Sequence, residues 1–537
     1  MDRKKNPVEP TGEQPVTSSE RDGPGGGGPS PREGDPRGWR PPASPGAPSF
    51  DMGTGAAVLD APDETTLDPA TEEALEAASD PSEKVVRIGS GQGFWGDWQE
   101  APKLQVRTGA IDYLMLDYLA EITMSIMQKQ RERSPEAGYA RDFVQLMVDL
   151  APDLVDRGVR VVSNAGGVNP VGCREALGLA LASVDLPRPL RVAVVRGDDI
   201  MGRLDEFIDG GHALSHMETG EPLSTVRDRV ASANVYLGAE PIVRALEQGA
   251  DIVITGRSTD TALTYAPLIH EFGWAADDWD LLASGVVAGH INECGCQATG
   301  GNSLVDWRQI DLTVPGYPII EARGDGTFVV TKHAALGGRV TWETVTEQLV
   351  YEMGDPEEYI TPDVVADFST IELQDMGEDR VKVRGVRGRA RTDKLKVSIA
   401  YSDGFKAVGT LTYAWPDAYE KAARGNEVLR GRLEYLGLEF DEVRTEYIGA
   451  GACHGALAGP PLDELPEVTL RVGVRDADRA TVAAFTREMA PLILAGPPTV
   501  TGFAGGRPRV QDVVAYWPAL IDRGAVETGV TVDTVEL

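Results

Sequence analysis

Four cysteines in 537 residues are too few for a disulfide framework. No apolar run approaches the roughly 20 residues that a membrane span needs. The amino-terminal Met1-Asp-Arg-Lys-Lys has no apolar stretch behind it, so no secretory signal is expected and a cytoplasmic location is. Basic residues are also scarce. Lysine plus arginine number 51 against 84 aspartates and glutamates, a formal charge of −33. A chain this acidic is repelled by phosphate backbones and anionic lipid, so neither a nucleic acid nor a membrane is expected as partner. There is no Walker-type Gly-Lys-Ser/Thr, no Gly-x-Ser-x-Gly elbow and no His-Glu-x-x-His. Gly89-x-Gly91-x-Gly93 is too tightly spaced for a dinucleotide fingerprint, and Phe94-Trp-Gly-Asp-Trp stands after it where a helix should start. ATP, NAD and simple serine hydrolysis are thereby disfavoured.

The chain exceeds the roughly 250–300 residues that one core usually organises. Its first 50 residues hold 11 prolines and 9 glycines, a composition that cannot offset chain entropy by burial. Residues 1–84 are therefore expected to be a disordered tail with one weak helix near Thr71–Ala78. From Val85 onward, apolar runs at Val85–Ile88, Ile111–Leu116, Val159–Val162, Leu190–Val195, Ile252–Thr255 and Val286–Ala288 predict strands. The amphipathic stretches Phe143–Asp156, Cys173–Val184 and Pro241–Gln248 predict helices between them. The pattern reads as an α/β domain over 85–305, a largely parallel sheet flanked by helices. Short alternating segments such as Phe328-Val-Val-Thr, Val381-Lys-Val, Leu395-Lys-Val-Ser-Ile and Val468–Val474, with a helix over Ala477–Leu494, predict a mixed α+β portion over 306–537.

The chemistry is expected in the segments just past the predicted strands. Five qualify: Ser90-Gly-Gln-Gly-Phe-Trp-Gly-Asp97, Ser163-Asn-Ala-Gly-Gly-Val-Asn-Pro170, Arg196-Gly-Asp-Asp199, Thr255-Gly-Arg-Ser-Thr-Asp260 and His290-Ile-Asn-Glu-Cys-Gly-Cys-Gln-Ala-Thr-Gly-Gly-Asn302. Parallel strands would deliver all five to one sheet edge, where open α/β sheets hold ligands. Any one of them could be an ordinary capped turn; the set together favours a site. Glycines 91, 93, 166, 167, 300 and 301 and Asn164 are expected to let backbone amides reach a substrate. Arg257 could clamp a substrate carboxylate, or pair internally with Asp260. Asp198 beside Asp199 reads as a coupled pair, a cation site, or one site acid beside one helix cap.

Asp198, Asp260, His290 and Glu293 are the candidates for proton transfer. Cys294 reads as a nucleophile, a metal ligand or a buried thiol; its spacing from Cys296 is not that of a zinc pair, so a divalent metal is the less favoured reading. The aromatics Phe94, Trp95, Trp98, Phe272 and Trp274 could wall an acyl pocket or pack a core. His454 and the segment Gly502–Gly506 suggest further loops, without an assigned role.

The ordered chain resembles the acyclic terpene utilisation family, AtuA. The resemblance rests on Arg87-Ile-Gly with Gly-Phe-Trp-Gly-Asp97, Leu116-Asp-Tyr-Leu-Ala-Glu-Ile-Thr-Met-Ser125, Val162–Pro170, Gly256-Arg with Asp260, Ala288-Gly-His-Ile-Asn-Glu-Cys-Gly295, Gln297–Gly301, Thr346–Pro356 and Arg507–Pro518. It spans roughly residues 85–523, and the Pro/Gly-rich tail is a departure from it. The resemblance implies catabolism of citronellol- or geraniol-type acids as coenzyme A thioesters, and a 3-hydroxy-acyl-CoA carbon–carbon lyase is the leading expectation. Alternatives are an enoyl-CoA hydratase or isomerase activity, or a non-catalytic acyl-CoA- or carboxylate-binding subunit. No cofactor is expected beyond the thioester substrate itself. Some relatives carry a small ferredoxin-like module at the C-terminus, so a separately encoded module is an expected partner, as is a second copy of the chain in a homo-oligomer.

Overall fold

The computed structural model describes residues 84–461, 464–501 and 506–537. The expected tail lies outside these residues apart from Lys84, as does the weak helix over Thr71–Ala78. The fold is mixed α/β. Its centre is formed by β1 (Val85–Gln92), β2 (Tyr113–Leu116), β3 (Arg160–Ser163), β4 (Arg191–Arg196) and β6 (Ile252–Ile254), side by side in the order β1-β2-β3-β6-β4 and all parallel. β5 (Val230–Val235) leaves this sheet and pairs elsewhere.

The parallel block is buried on both faces, as near-continuous apolar strands require. Val161, Val192, Val194, Ile252 and Ile254 point into one core with the helices Arg141–Arg157 and Pro170–Leu181. Val162, Ala193, Val195 and Val253 point into the other, with Glu240–Glu247, Ala262–Phe272 and Trp279–Glu293. Successive residues alternate faces because the strand repeat is two.

Antiparallel strands extend the sheet on both sides. β7 (Ile319–Arg323), β8 (Phe328–Thr331), β11 (Glu372–Gly377) and β12 (Arg380–Arg384) continue beyond β1, while β18 (Thr531–Glu536) covers the far edge of β4. Strands from both sides of residue 305 thus share one ten-stranded sheet. Three short strands, β9 (Tyr359–Ile360), β10 (Val364–Asp367) and β13 (Arg387–Ala390), form a separate small sheet.

A smaller lobe is built on β14 (Lys394–Ala414), β15 (Glu442–Ile448), β16 (Glu467–Asp476) and β17 (Gln511–Asp522), ordered β15-β16-β14-β17 and antiparallel throughout. The helices Ala418–Tyr435 and Arg479–Phe485 fill its core. This split βαββαβ arrangement is of the ferredoxin-like kind. An appended module of that type would be a second such unit.

β14 serves both bodies: Val397–Tyr401 pair with β5, and its register on β17 breaks between Ser402 and Phe405, where Gly404 takes φ +85°. The predicted helix Ala477–Leu494 is two helices, Arg479–Phe485 and Leu492–Ala495, interrupted before Pro491, whose missing N–H cannot continue a helical ladder. No helix among the described residues is long and apolar enough to cross a membrane.

Candidate active site at the carboxyl ends of the parallel strands

Because the five strands are parallel, the residues just past their ends share one edge of the sheet. Asp117 follows β2, Asn164 follows β3, Asp198 follows β4 and Arg257 follows β6. They are joined directly. Asp117 Oδ1 accepts from Asn164 Nδ2 at 2.7 Å and from the Leu119 amide at 3.0 Å. Asn164 Oδ1 in turn accepts from the Tyr118 amide at 2.7 Å. Asp198 Oδ2 accepts from the Arg257 amide at 2.8 Å and from Asn234 Nδ2 on β5 at 2.9 Å. Asp199 instead accepts from the Met201 amide at 3.0 Å, a turn-capping role.

Arg257 is the hub. It is 2% exposed, and its Nη1 donates to Asp260 Oδ1 at 2.6 Å and to the Leu119 carbonyl at 3.0 Å, while Nη2 reaches Asp260 Oδ2 at 3.3 Å. Its guanidinium carbon lies 4.3 Å from the centre of the Tyr236 ring, and the Tyr236 hydroxyl donates to Glu121 at 2.5 Å. The internal ion pair, not a free carboxylate clamp, is what the geometry contains.

His290 and Glu293 arrive by a different route from the expected one. The predicted strand over Val286–Ala288 is part of a helix, Trp279–Glu293, in which every residue from Leu282 to Asn292 is buried. A helix enclosed on all sides carries no amphipathic repeat, so its sequence reads like a buried strand. The three-residue spacing puts His290 and Glu293 on one face of the last turn, with Nδ1 and Oε1 3.0 Å apart. The Tyr359 hydroxyl is 3.5 Å from the same nitrogen, and the rings of Tyr359 and Phe368 pack at 5.4 and 5.5 Å. His290 Nε2 is buried without a hydrogen-bond partner. The helix comes close to the Asp260 loop because residue 289 is glycine: a Cβ there would stand 2.5 Å from the Thr261 carbonyl oxygen.

Burial raises the Asp198 carboxyl to about 6, against the opposing pull of the Arg257 amide and Asn234. The Asp260 side chain is 32% exposed. The protein around it raises it to about 6, Arg257 opposes this, and Glu293 adds to the rise. Asp117 is held well above the carboxylate range by burial and then by the charge of Asp260. Burial opposes charge on His290, but Glu293 outweighs it and the ring titrates above its ordinary 6.5. For Cys294, burial and Glu293 both push the thiol far upward, which keeps it protonated and removes it as a nucleophile. No group of three or more His, Cys, Asp and Glu with metal-holding geometry occurs among the described residues.

The glycines do other work than the expected amide cradle. A Cβ on Gly91 would meet Leu114, Leu116 and Pro102, and one on Gly93 would meet the backbone of Cys294 and Gly295. A Cβ on Gly166 would stand 2.5 Å from the Thr255 carbonyl oxygen, and one on Gly167 (φ +52°) would meet Met127, on Gly300 Ile310 and on Gly301 Cys296. Five of their amides are taken too. Gly166 donates to Thr255, Gly167 to Asn164, Gly300 to Gln297 and Gly301 to Cys296, and Gly93 donates to the Asp97 carboxylate. These glycines bring the loops together, and those five amides are not open to a substrate.

Of the aromatics, Trp95 and Trp98 are half-buried, Phe272 and Trp274 stack on each other at 5.7 Å within the core, and Phe94 is exposed. His454 lies exposed in the smaller lobe, and most of Gly502–Gly506 is outside the described residues. Asp117, Glu121, Asn234, Tyr236 and Tyr359 went unpredicted. For Asp117 a signal existed: it stands directly after a predicted strand, as Asn164 does.

The profile of the acyclic terpene utilisation family protein AtuA matches residues 86–532, nearly all of the described chain and every strand of the central sheet up to the β18 edge. The chain belongs to the acyclic terpene utilisation family. No curated protein and no solved structure matches it. AtuA membership supports a role in acyclic terpene utilisation, and the paired acids and the His290–Glu293 couple are the groups this AtuA chain places at its sheet edge.

Proposed function

We propose that this AtuA chain is an acid–base enzyme acting on a branched acyl thioester, and that its reaction is the retro-aldol cleavage of a 3-hydroxy-acyl-CoA. The observation that carries the reading is a pair of proton-transfer units of opposite bias, Asp260 on the loop after β6 and His290 on the helix that Gly289 brings against Thr261 of that loop. Asp260, near 6, is ionised at neutral pH, and Glu293 raises His290 above its ordinary 6.5 against the cost of burial. The two units feel each other's charge, since Glu293 raises Asp260 and both acids raise Tyr359.

In the reaction, Asp260 takes the proton from the C3 hydroxyl. The C2–C3 bonding pair moves onto the thioester as an enolate, and C3 leaves as a ketone. Protonated His290 then delivers its proton to the enolate carbon, giving the shorter thioester. One proton is removed and one is returned, so the step needs no co-reactant. Arg257 holds Asp260 in place and resists a still higher pKa, while Glu293 maintains the charge on His290.

The test is to incubate the purified chain with branched 3-hydroxy-acyl-CoA thioesters and follow masses. A ketone and a shorter thioester are expected, with Asp260→Asn and His290→Gln each lowering kcat by about 10²–10⁴-fold at unchanged thermal stability. Wild-type turnover in both variants would overturn the roles. Calorimetric binding with no turnover of any thioester would favour the non-catalytic binding subunit.

A further inference from the structure

Asp117 lies directly beside the machinery assigned above. It is 4% exposed, and no cation stands within ion-pair distance of it among the described residues. Both donors it receives are neutral, Asn164 Nδ2 and the Leu119 amide, and both go to Oδ1. The nearby guanidinium of Arg257 directs its hydrogen bonds elsewhere: Nη1 donates to the Leu119 carbonyl and to Asp260, Nη2 to Asp260, and Nε is buried without a partner. Asp260 therefore receives the cation's hydrogen bonds. At Asp117 burial raises the carboxyl first, and the repulsion of Asp260 outweighs the pull of Arg257. The Cys294 thiol also feels the charge of Asp117 and is itself protonated. Leu119 links the two acids, giving its amide to Asp117 and taking on its carbonyl the same Arg257 Nη1 that holds Asp260, and two acids sharing one cation cannot both ionise cheaply.

From this arrangement we infer that Asp117 is the neutral member of an Asp117–Asp260 carboxyl pair and stores the proton that the site draws on. Asn164 is its positioning residue. By bonding both Asp117 and the Tyr118 amide it fixes the acid's orientation, which leaves Oδ2 to carry the proton. A neutral carboxyl there would donate to a developing oxyanion on the substrate, or reload His290 after the enolate is quenched. This deepens the acid–base reading above and rests on it for the second half only, since proton storage can be measured in the resting protein.

The experiment is an infrared pH titration of the full chain, wild type against Asp117→Asn, with kcat measured in parallel. Wild type should show a protonated-carboxyl band at pH 7 that Asp117→Asn lacks. In Asp260→Asn the same band should titrate at lower pH, because the repelling charge is gone; this variant also decides the matter if Asp117→Asn fails to fold. Asp117→Asn should lower kcat by about 10²–10⁴-fold. Absence of the band in wild type at pH 7 would overturn the inference whatever the kinetics. A band present with unchanged kcat in Asp117→Asn would overturn the donor role. Failure of wild type to turn over any thioester would count against the proposed reaction alone, with the band still deciding the state of Asp117.

Discussion

Single side chains set the protonation pattern of this site, and their pKa directions carry consequences for rate and for stability. If Asp260 acts as base and His290 as acid, kcat/KM should rise through a limb near pH 6 and fall through a second limb above 6.5. A stopped-flow profile that is flat from pH 5 to 8 would contradict that pairing. Asp198 offers a test free of substrate. Its folded value of about 6 exceeds the ordinary 3.8, so between those values the folded chain binds more protons than the unfolded one. Stability contributed by this group therefore falls as pH rises through that window. Asp198→Asn lacks the titration, so its stability relative to wild type should improve by up to about 3 kcal/mol between about pH 4 and pH 7. Urea denaturation at the two pH values measures it; a pH-independent difference would refute the assigned burial cost. The place of Asp198 and Asp260 at the sheet edge was legible because they follow apolar runs, whereas His290 and Glu293 were singled out behind an expected strand that is a helix. That Arg257 would be spent on Asp260 was not, since its alternatives differ only in side-chain direction.

The elements explain why the glycines are where they are. Helix Trp279–Glu293 approaches the Ala262–Phe272 helix through Gly285, where a Cβ would stand 2.7 Å from Tyr265 Cβ, and approaches Thr261 through Gly289. Gly289→Ala must displace backbone, not a flexible side-chain end. It is expected to cost about 1–3 kcal/mol in chemical denaturation and to lower turnover by shifting His290 against Asp260. An unchanged denaturation midpoint would show that the helix can move away at no cost. Periodicity found the amphipathic helices and the strands β1 to β4 and β6, whose two environments differ. It failed for Trp279–Glu293, because uniform burial erases the contrast that a helical repeat consists of. It also missed the break before Pro491.

The whole molecule protects its parallel block by closing one flank with a distant segment. β18 pairs with β4 over six residues from Arg191 to Arg196, and Leu537 exchanges two backbone hydrogen bonds with Leu190 while packing beside Gly178. Removing residues 531–537 would leave the β4 edge unpaired and open the core beneath it. The truncated chain should melt at lower temperature and self-associate, read by calorimetry and size-exclusion chromatography; a monomer with the wild-type melting temperature would show that the strand is dispensable.

Local sequence determined the five parallel strands, several amphipathic helices and the kinds of polar residue placed after those strands, because burial periodicity and turn chemistry act over a few residues. It did not determine that a loop after β6 would give its arginine to its own aspartate, or that Asp117 would be left without a cation. Nor did it determine that residues 531–536 would cap β4, or that the loop glycines would be consumed by neighbouring backbone. Those outcomes depend on which surfaces meet across hundreds of residues, and only the packed tertiary structure settles how one cation and a few donors are shared among competing acids.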